Sequence, residues 1–230
     1  MSILYVVATP IGNLEDISLR ALRILREVGL IAAEDTRKTR RLLNAYDIDT
    51  PLTSYHEHSK KAKLDHLLGH LEKEDLALVS EAGMPGLSDP GYDLVVTAID
   101  RGILVVPVPG PSAVITALVV SGLPTDQFVY LGFFPRRKGQ RQHLLSSIID
   151  ESRTIVAFEA PHRLREALTD IGEILGNRRV SVCRELTKVH EEIFRGRVSQ
   201  AREHFAQARG EFSLVIEGKT RAWLKFQERS

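Results

Sequence analysis

The sequence predicts an α/β protein: a mainly parallel sheet with helices on its faces, followed by a smaller mixed α/β unit. Three observations carry this. Strand-length apolar runs alternate with amphipathic helical stretches from the first residues onward. The run 76–79 is followed by a loop, 80–91, with three glycines and two prolines in twelve residues. The turn Ser121-Gly122-Leu123-Pro124 marks a natural boundary, so an N-terminal domain over 1–122 and a C-terminal domain over 123–230 are expected.

Residues 3–8 read as a strand. Residues 18–28 read as a helix, with Ser18 as N-cap, Leu22, Leu25 and Val28 on one side and Gly29 as its stop. A short strand over 30–33 leads to a basic helix over 36–44. Leu64, Leu67, Leu68 and Leu71 follow the i, i+3, i+4, i+7 spacing of a helix with one buried face. The strand 76–79, the glycine loop, a helix over 92–99 and a strand over 103–106 come next. Gly110-Pro111 opens a further helix, proline suiting the first position. This βα series implies parallel strands. In the second half, 128–133, 154–158, 179–183 and 212–217 read as strands. Residues 138–150 and a stretch from Pro161 to the Gly176-Asn177 stop read as helices. The last dozen residues are polar and expected to be loosely held.

The 230 residues, 43% hydrophobic and 27% charged, suffice for a sizeable core. No apolar run approaches the roughly 18–20 residues of a membrane helix. The N-terminus lacks the basic region and cleavage site of a signal peptide. The one cysteine, Cys183, cannot form an internal disulfide and reads as a buried small hydrophobe. A cytoplasmic protein is expected. The net charge of +1 does not announce a nucleic-acid binder, yet two basic clusters stand out. Arg37, Lys38, Arg40 and Arg41 form one. Arg136, Arg137, Lys138 and Arg141, after Gly-Phe-Phe-Pro, form the other. Either is a solvated face or a phosphate-binding surface.

The glycine loop reads as ligand-facing. Glycines let the backbone approach a bound molecule, and open α/β sheets place ligands at the carboxyl ends of strands. Ser112 and Ala113, at a helix start after a Pro-Gly-Pro stop, offer backbone donors for a carboxylate. A helix start that binds nothing, a tight turn at Pro10 and Gly12, and core packing for Phe158 remain alternatives. No dinucleotide fingerprint follows the first strand, and no Walker-type loop is present. His56 and His58 read as part of a polar loop, no His, Cys and Asp cluster has metal-ligand spacing, and no metal site is expected.

Seven segments occur in order: 7–14 (VATPIGNL), 33–37 (AEDTR), the loop 80–91, 107–113 (PVPGPSA), 132–135 (GFFP), 158–163 (FEAPHR) and 184–188 (RELTK). Together they closely resemble the tetrapyrrole methylase superfamily. Within it they resemble the subgroup that methylates the ribose 2′-hydroxyl of a decoding-site cytidine in 16S ribosomal RNA. The resemblance covers residues 3 to about 218. It implies a two-domain class III methyltransferase fold, a homodimer, and S-adenosylmethionine bound in the cleft between the domains.

Carried onto this sequence, the resemblance assigns Pro10, Ala82, Gly83, Met84, Leu87, Ser112, Ala113, Phe158, Glu159 and Ser213 to the donor. Glu81 or Glu159, each beside the expected donor pocket, is the candidate proton acceptor. Arg37, Lys38, Arg136, Arg137, Lys138 and Arg163 are the candidate phosphate contacts. Glu34 and Asp35 are expected to orient the first basic cluster or, as the alternative, to line the cleft. The glycine-rich first-loop pattern of members acting on tetrapyrroles is replaced here by Ala8-Thr9-Pro10-Ile11-Gly12-Asn13, which favours the RNA subgroup. A tetrapyrrole C-methyltransferase and a non-catalytic RNA-binding protein stay open as alternatives.

Overall fold

The computed structural model describes residues 2–56 and 61–219. His58 and residues 220–230 lie outside the described residues. Two compact units divide between Ser112 and Ala113.

The first unit is a five-stranded sheet of order β3-β2-β4-β1-β5, every neighbouring pair parallel. Its strands are β1 (Ile3–Val7), β2 (Leu30–Ala33), β3 (Leu52–Ser54), β4 (Leu76–Val79) and β5 (Leu104–Val108). Helices α1 (Leu19–Glu27), α2 (Thr36–Ala45), α3 (Lys61–Leu71) and α4 (Tyr92–Asp100) connect them. Parallel strands need such crossovers, and both faces of the sheet are therefore covered. One face packs on Ala21, Ile24, Leu25 and Val28 of the α1 segment and Leu42 and Leu43 of α2. The other packs on Leu67, Leu68 and Leu71 of α3 and Leu94 and Ala98 of α4. All four residues of β4 are buried, as its unbroken apolar run requires. Ser18 caps α1 as expected, its hydroxyl accepting from Ala21 N–H at 3.1 Å.

The second unit begins with α5 (Ala113–Val120) and holds a mixed sheet of order β6-β7-β10-β8-β9. The strands are β6 (Phe128–Phe133), β7 (Thr154–Glu159), β8 (Arg179–Arg184), β9 (Glu192–Arg197) and β10 (Phe212–Ile216). β6 and β7 are parallel, and the remaining pairs are antiparallel. Helices α6 (Lys138–Ser147), α7 (Pro161–Ile174) and α8 (Val198–His204) lie over one face, whose core includes Leu145, Leu164, Leu168, Ile171 and Val198. α5 packs on β7 and β10, and none of its buried residues belongs to that core. The division thus precedes the 121–124 turn, because α5 sides with the second sheet.

Some boundaries and elements differ from the sequence expectation. α5 starts at Ala113, so Pro111 precedes the helix and does not occupy its first position. α6 stops at Ser147. β3, β9 and α8 were not expected: β3 has three residues, and β9 and α8 carry too many charges to show an apolar period.

Arg141 departs furthest from the solvated reading. Its side chain is 1% exposed and donates from Nε to Asp170 at 2.6 Å. It stands in register with Leu144, Leu145 and Ile148 along α6, all on the core side.

Candidate active site

Because β4, β1 and β5 are parallel neighbours, the loops leaving their carboxyl ends lie side by side. Main-chain bonds join them. Thr9 N–H donates to Gly83 O at 2.9 Å, and Gly83 N–H returns a bond to Thr9 O at 3.0 Å. Ala8 N–H donates to Val108 O at 3.1 Å. Gly83 has φ +80°, and a β-carbon there would sit 3.7 Å from Pro111 O and 3.6 Å from the Ile11 side chain. The segments of Pro10, of Ala82, Gly83 and Met84, and of Ser112 are thereby brought to one edge. Pro10, Ala82, Met84, Ser112 and Ala113 are half-buried, Gly83 is buried and Leu87 is exposed.

At this junction the Thr9 hydroxyl is buried without a hydrogen-bond partner among the described residues. An orphaned buried hydroxyl costs free energy that a bound polar group would recover. Sequence reasoning passed over Thr9, since nothing in its spacing distinguishes it from a turn residue.

Charged groups gather beside the junction, at the ends of β2 and β4. Glu34 N–H continues the ladder to Val79 O at 3.3 Å, and Glu81 N–H donates to Glu34 Oε2 at 3.1 Å. Lys38 Nζ pairs with Glu81 Oε1. Asp35 caps α2, accepting from Arg37 N–H at 2.8 Å and Lys38 N–H at 3.3 Å. The Arg37 guanidinium also donates to it at 3.3 Å, and that bond holds its carboxyl below the usual range. Asp35 thus meets one side chain of the basic cluster, that of Arg37, while Glu34 bonds Glu81 instead. Lys38, however, is engaged by Glu81.

Asp89, in the glycine loop, was not singled out in the sequence. Burial, reinforced by Glu34 and Glu81, pushes its carboxyl up to about 6, against a hydrogen bond from Ser80.

In the second unit Phe158 and Ser213 are register partners across β7 and β10. Glu159 pairs with Phe212, and alternation turns both to the helical face, where Phe212 joins the core. The Glu159 carboxylate is fully buried and bonded to Arg163 at 2.7 Å and Ala160 N–H at 2.7 Å. Burial raises its pKa, and Ala160 and Arg163 oppose the rise. Two expected site residues, Glu159 and Arg163, therefore spend their charges on each other. Arg136, Arg137 and Lys138 are exposed. Among the described residues no His, Cys, Asp and Glu cluster could hold a metal ion.

The family described as Tetrapyrrole (Corrin/Porphyrin) Methylases matches residues 3–202. The Ribosomal RNA small subunit methyltransferase I of Halalkalibacterium halodurans is 53% identical over 219 residues, 94% of this chain and 75% of that protein. The protein of the same name from Thermotoga maritima is 51% identical over 222 residues, 95% of this chain and 100% of that one. The crystal structure of uroporphyrin-III-C-methyltransferase from Thermus thermophilus superposes with a TM-score of 0.68 at 18% identity, over 94% of each chain, and so shares the fold. With the match running through both units, the chain belongs to the tetrapyrrole methylase family.

Proposed function

We propose that this chain is an S-adenosylmethionine-dependent methyltransferase acting on the ribose 2′-hydroxyl of a decoding-site cytidine in 16S ribosomal RNA. The observation that carries the reading is identity above one half, over nearly the whole chain, to proteins named for small-subunit ribosomal RNA methylation. A tetrapyrrole substrate is not favoured, because the uroporphyrin enzyme shares the fold at only 18% identity.

The junction of three loops suits the donor. The orphaned Thr9 hydroxyl offers it a hydrogen bond. The backbone of Ala82, Gly83 and Met84, close to Pro10 and Leu87, offers a tight surface. Backbone donors at Ser112 and Ala113 suit a carboxylate. The resemblance assigns Phe158 and Ser213 to the same ligand, and their pairing across two strands fits a shared role. When bound, the donor supplies a methyl group already electrophilic on its sulfonium.

This chain's residues then hold the acceptor hydroxyl in line, which supplies much of the rate. Glu81 takes the proton that leaves the hydroxyl, its carboxylate oriented by Lys38. Glu159, enclosed and paired with Arg163, is a structural clamp at the start of α7. Arg136, Arg137 and Lys138 take phosphates, with Arg37 and the partly engaged Lys38 secondary.

The RNA is expected within the small ribosomal subunit, and the enzyme is expected to be a cytoplasmic homodimer. Among the described residues no helix is long and apolar enough to cross a membrane. Incubating the protein with labelled donor and either small ribosomal subunits or a porphyrinogen tests the reading. Label in the subunits supports it, and label in the tetrapyrrole alone overturns it.

A further inference from the structure

The end of β6 carries an irregularity. Tyr130 is in register with Val156 and Phe133 with Phe158, so three steps on β6 match two on β7. The extra residue is accommodated at Gly132, whose φ is +68°. In a regular strand, residues three apart point to opposite faces. The bulge instead brings Tyr130 and Phe133 to the same side, each ring 5.4 Å from the ring of Phe158. Bulges re-aim side chains in this way, often beside functional sites.

The neighbouring aromatic turns the other way. Phe134 is 1% exposed and fills the core, while Phe133 is 55% exposed. β6 is an edge strand, so the Phe133 ring stands at the open margin of the sheet. Three residues on come Arg136, Arg137 and Lys138, all exposed and, among the described residues, with no side-chain partner. Three residues span at most about 11 Å, so ring and guanidinium can serve adjacent groups of one strand. An exposed aromatic face beside unpaired cations matches the chemistry of single-stranded nucleic acid: the ring for a base, the cations for the phosphates.

We propose that Phe133, backed by Phe158 and Tyr130, is the stacking platform for an unpaired nucleobase of the RNA substrate, with Arg136 and Arg137 on the flanking phosphates. The proposal rests on the reading of the substrate as ribosomal RNA. It assigns to the second unit a substrate-binding ring distinct from the donor loops. Every base presents a π-face, so the platform contributes affinity and placement, not base identity.

The test titrates a labelled single-stranded RNA oligonucleotide of 16S sequence into wild type, Phe133→Ala and Phe133→Trp, with donor affinity measured in parallel by calorimetry. Phe133→Ala is expected to weaken RNA binding about tenfold, Phe133→Trp to restore it, and neither to change donor affinity. An oligonucleotide with abasic sites is expected to bind wild type and Phe133→Ala alike. Unchanged RNA affinity in Phe133→Ala overturns the proposal. So does a loss of donor affinity matching the loss of RNA affinity, which would give the ring to the donor. A thermal melt confirms that the exposed substitution leaves the fold intact. If wild type binds the oligonucleotide but transfers no methyl to small subunits, the functional reading fails, and the same titration still decides the role of the ring.

Discussion

Glu159 and Arg163 form an ion pair at 2.7 Å in which the carboxylate is completely enclosed. The pair joins the last residue of β7 to the first turn of α7. Glu159 Oε1 also accepts Ala160 N–H, so one carboxylate fixes the strand-to-helix turn. Removing the guanidinium leaves a buried charge uncompensated, which costs about 3–5 kcal/mol. Arg163→Ala is therefore expected to lower stability by that order in urea unfolding. Burial already holds the Glu159 pKa above the ordinary carboxylate value. The folded protein thus binds this proton more readily than the unfolded chain does. The associated stability is present at acid pH and lost as pH rises through the folded pKa. The Arg163→Ala deficit should accordingly be larger at neutral pH than near pH 4.

Thr9 carries the opposite signature. Its hydroxyl is buried and unpartnered, so the shape-matched Thr9→Val removes an unsatisfied group and is expected to be neutral or stabilising by up to about 1 kcal/mol. Donor affinity should fall about five- to tenfold, one hydrogen bond's worth. Stability from thermal melts and affinity from calorimetry should therefore move in opposite directions. Unchanged affinity would remove Thr9 from the donor site.

Asp89 sets a pH dependence. Its carboxyl is raised to about 6 by burial and by Glu34 and Glu81. The folded state holds the proton above the unfolded value of about 4. Stability from this group is present below pH 4 and lost between about 4 and 6. Asp89→Asn is expected to gain up to about 2 kcal/mol at pH 7.5 and nothing at pH 4. Melting temperatures across that range read the difference.

Glu81→Gln keeps the shape and removes the proton acceptor. Turnover is expected to drop about 10²- to 10⁴-fold with donor affinity intact. Near-normal turnover would leave Glu81 as a partner for Lys38 alone.

Replacing Arg136 and Arg137 together by alanine should make RNA binding less salt-dependent. Each lost phosphate contact on a single strand lowers the log–log slope by about 0.7. An unchanged slope would show that both guanidiniums stay in solvent when RNA binds.

Much of the fold was legible because its devices are local. The unbroken apolar run of β4 announced a strand buried on both faces, and Ser18 and Pro161 marked helix starts where the structure has them. The alternation of strand and helix sufficed for a parallel first sheet. Long-range pairing was less visible. Arg141 looks like one more cation of a basic cluster until Asp170, a helix away, is known to neutralise it. Lys38 reads as a free charge until Glu81 comes beside it. Glu159 sits next to Phe158 in sequence, yet strand alternation sends the two side chains to opposite faces. Phe133 was legible only as the end of a strand, because its exposure depends on the bulge at Gly132. Thr9 is distinguished solely by the absence of a partner, a property of packing that no spacing encodes.

The most direct measurement supplies methyl-labelled S-adenosylmethionine and this protein to small ribosomal subunits that lack the modification, then maps the label by nuclease digestion and mass spectrometry. One labelled cytidine is expected in the decoding region of 16S RNA, with the methyl on its ribose 2′-oxygen. Label on a base, or none in the RNA while the donor is bound, would contradict the proposed function.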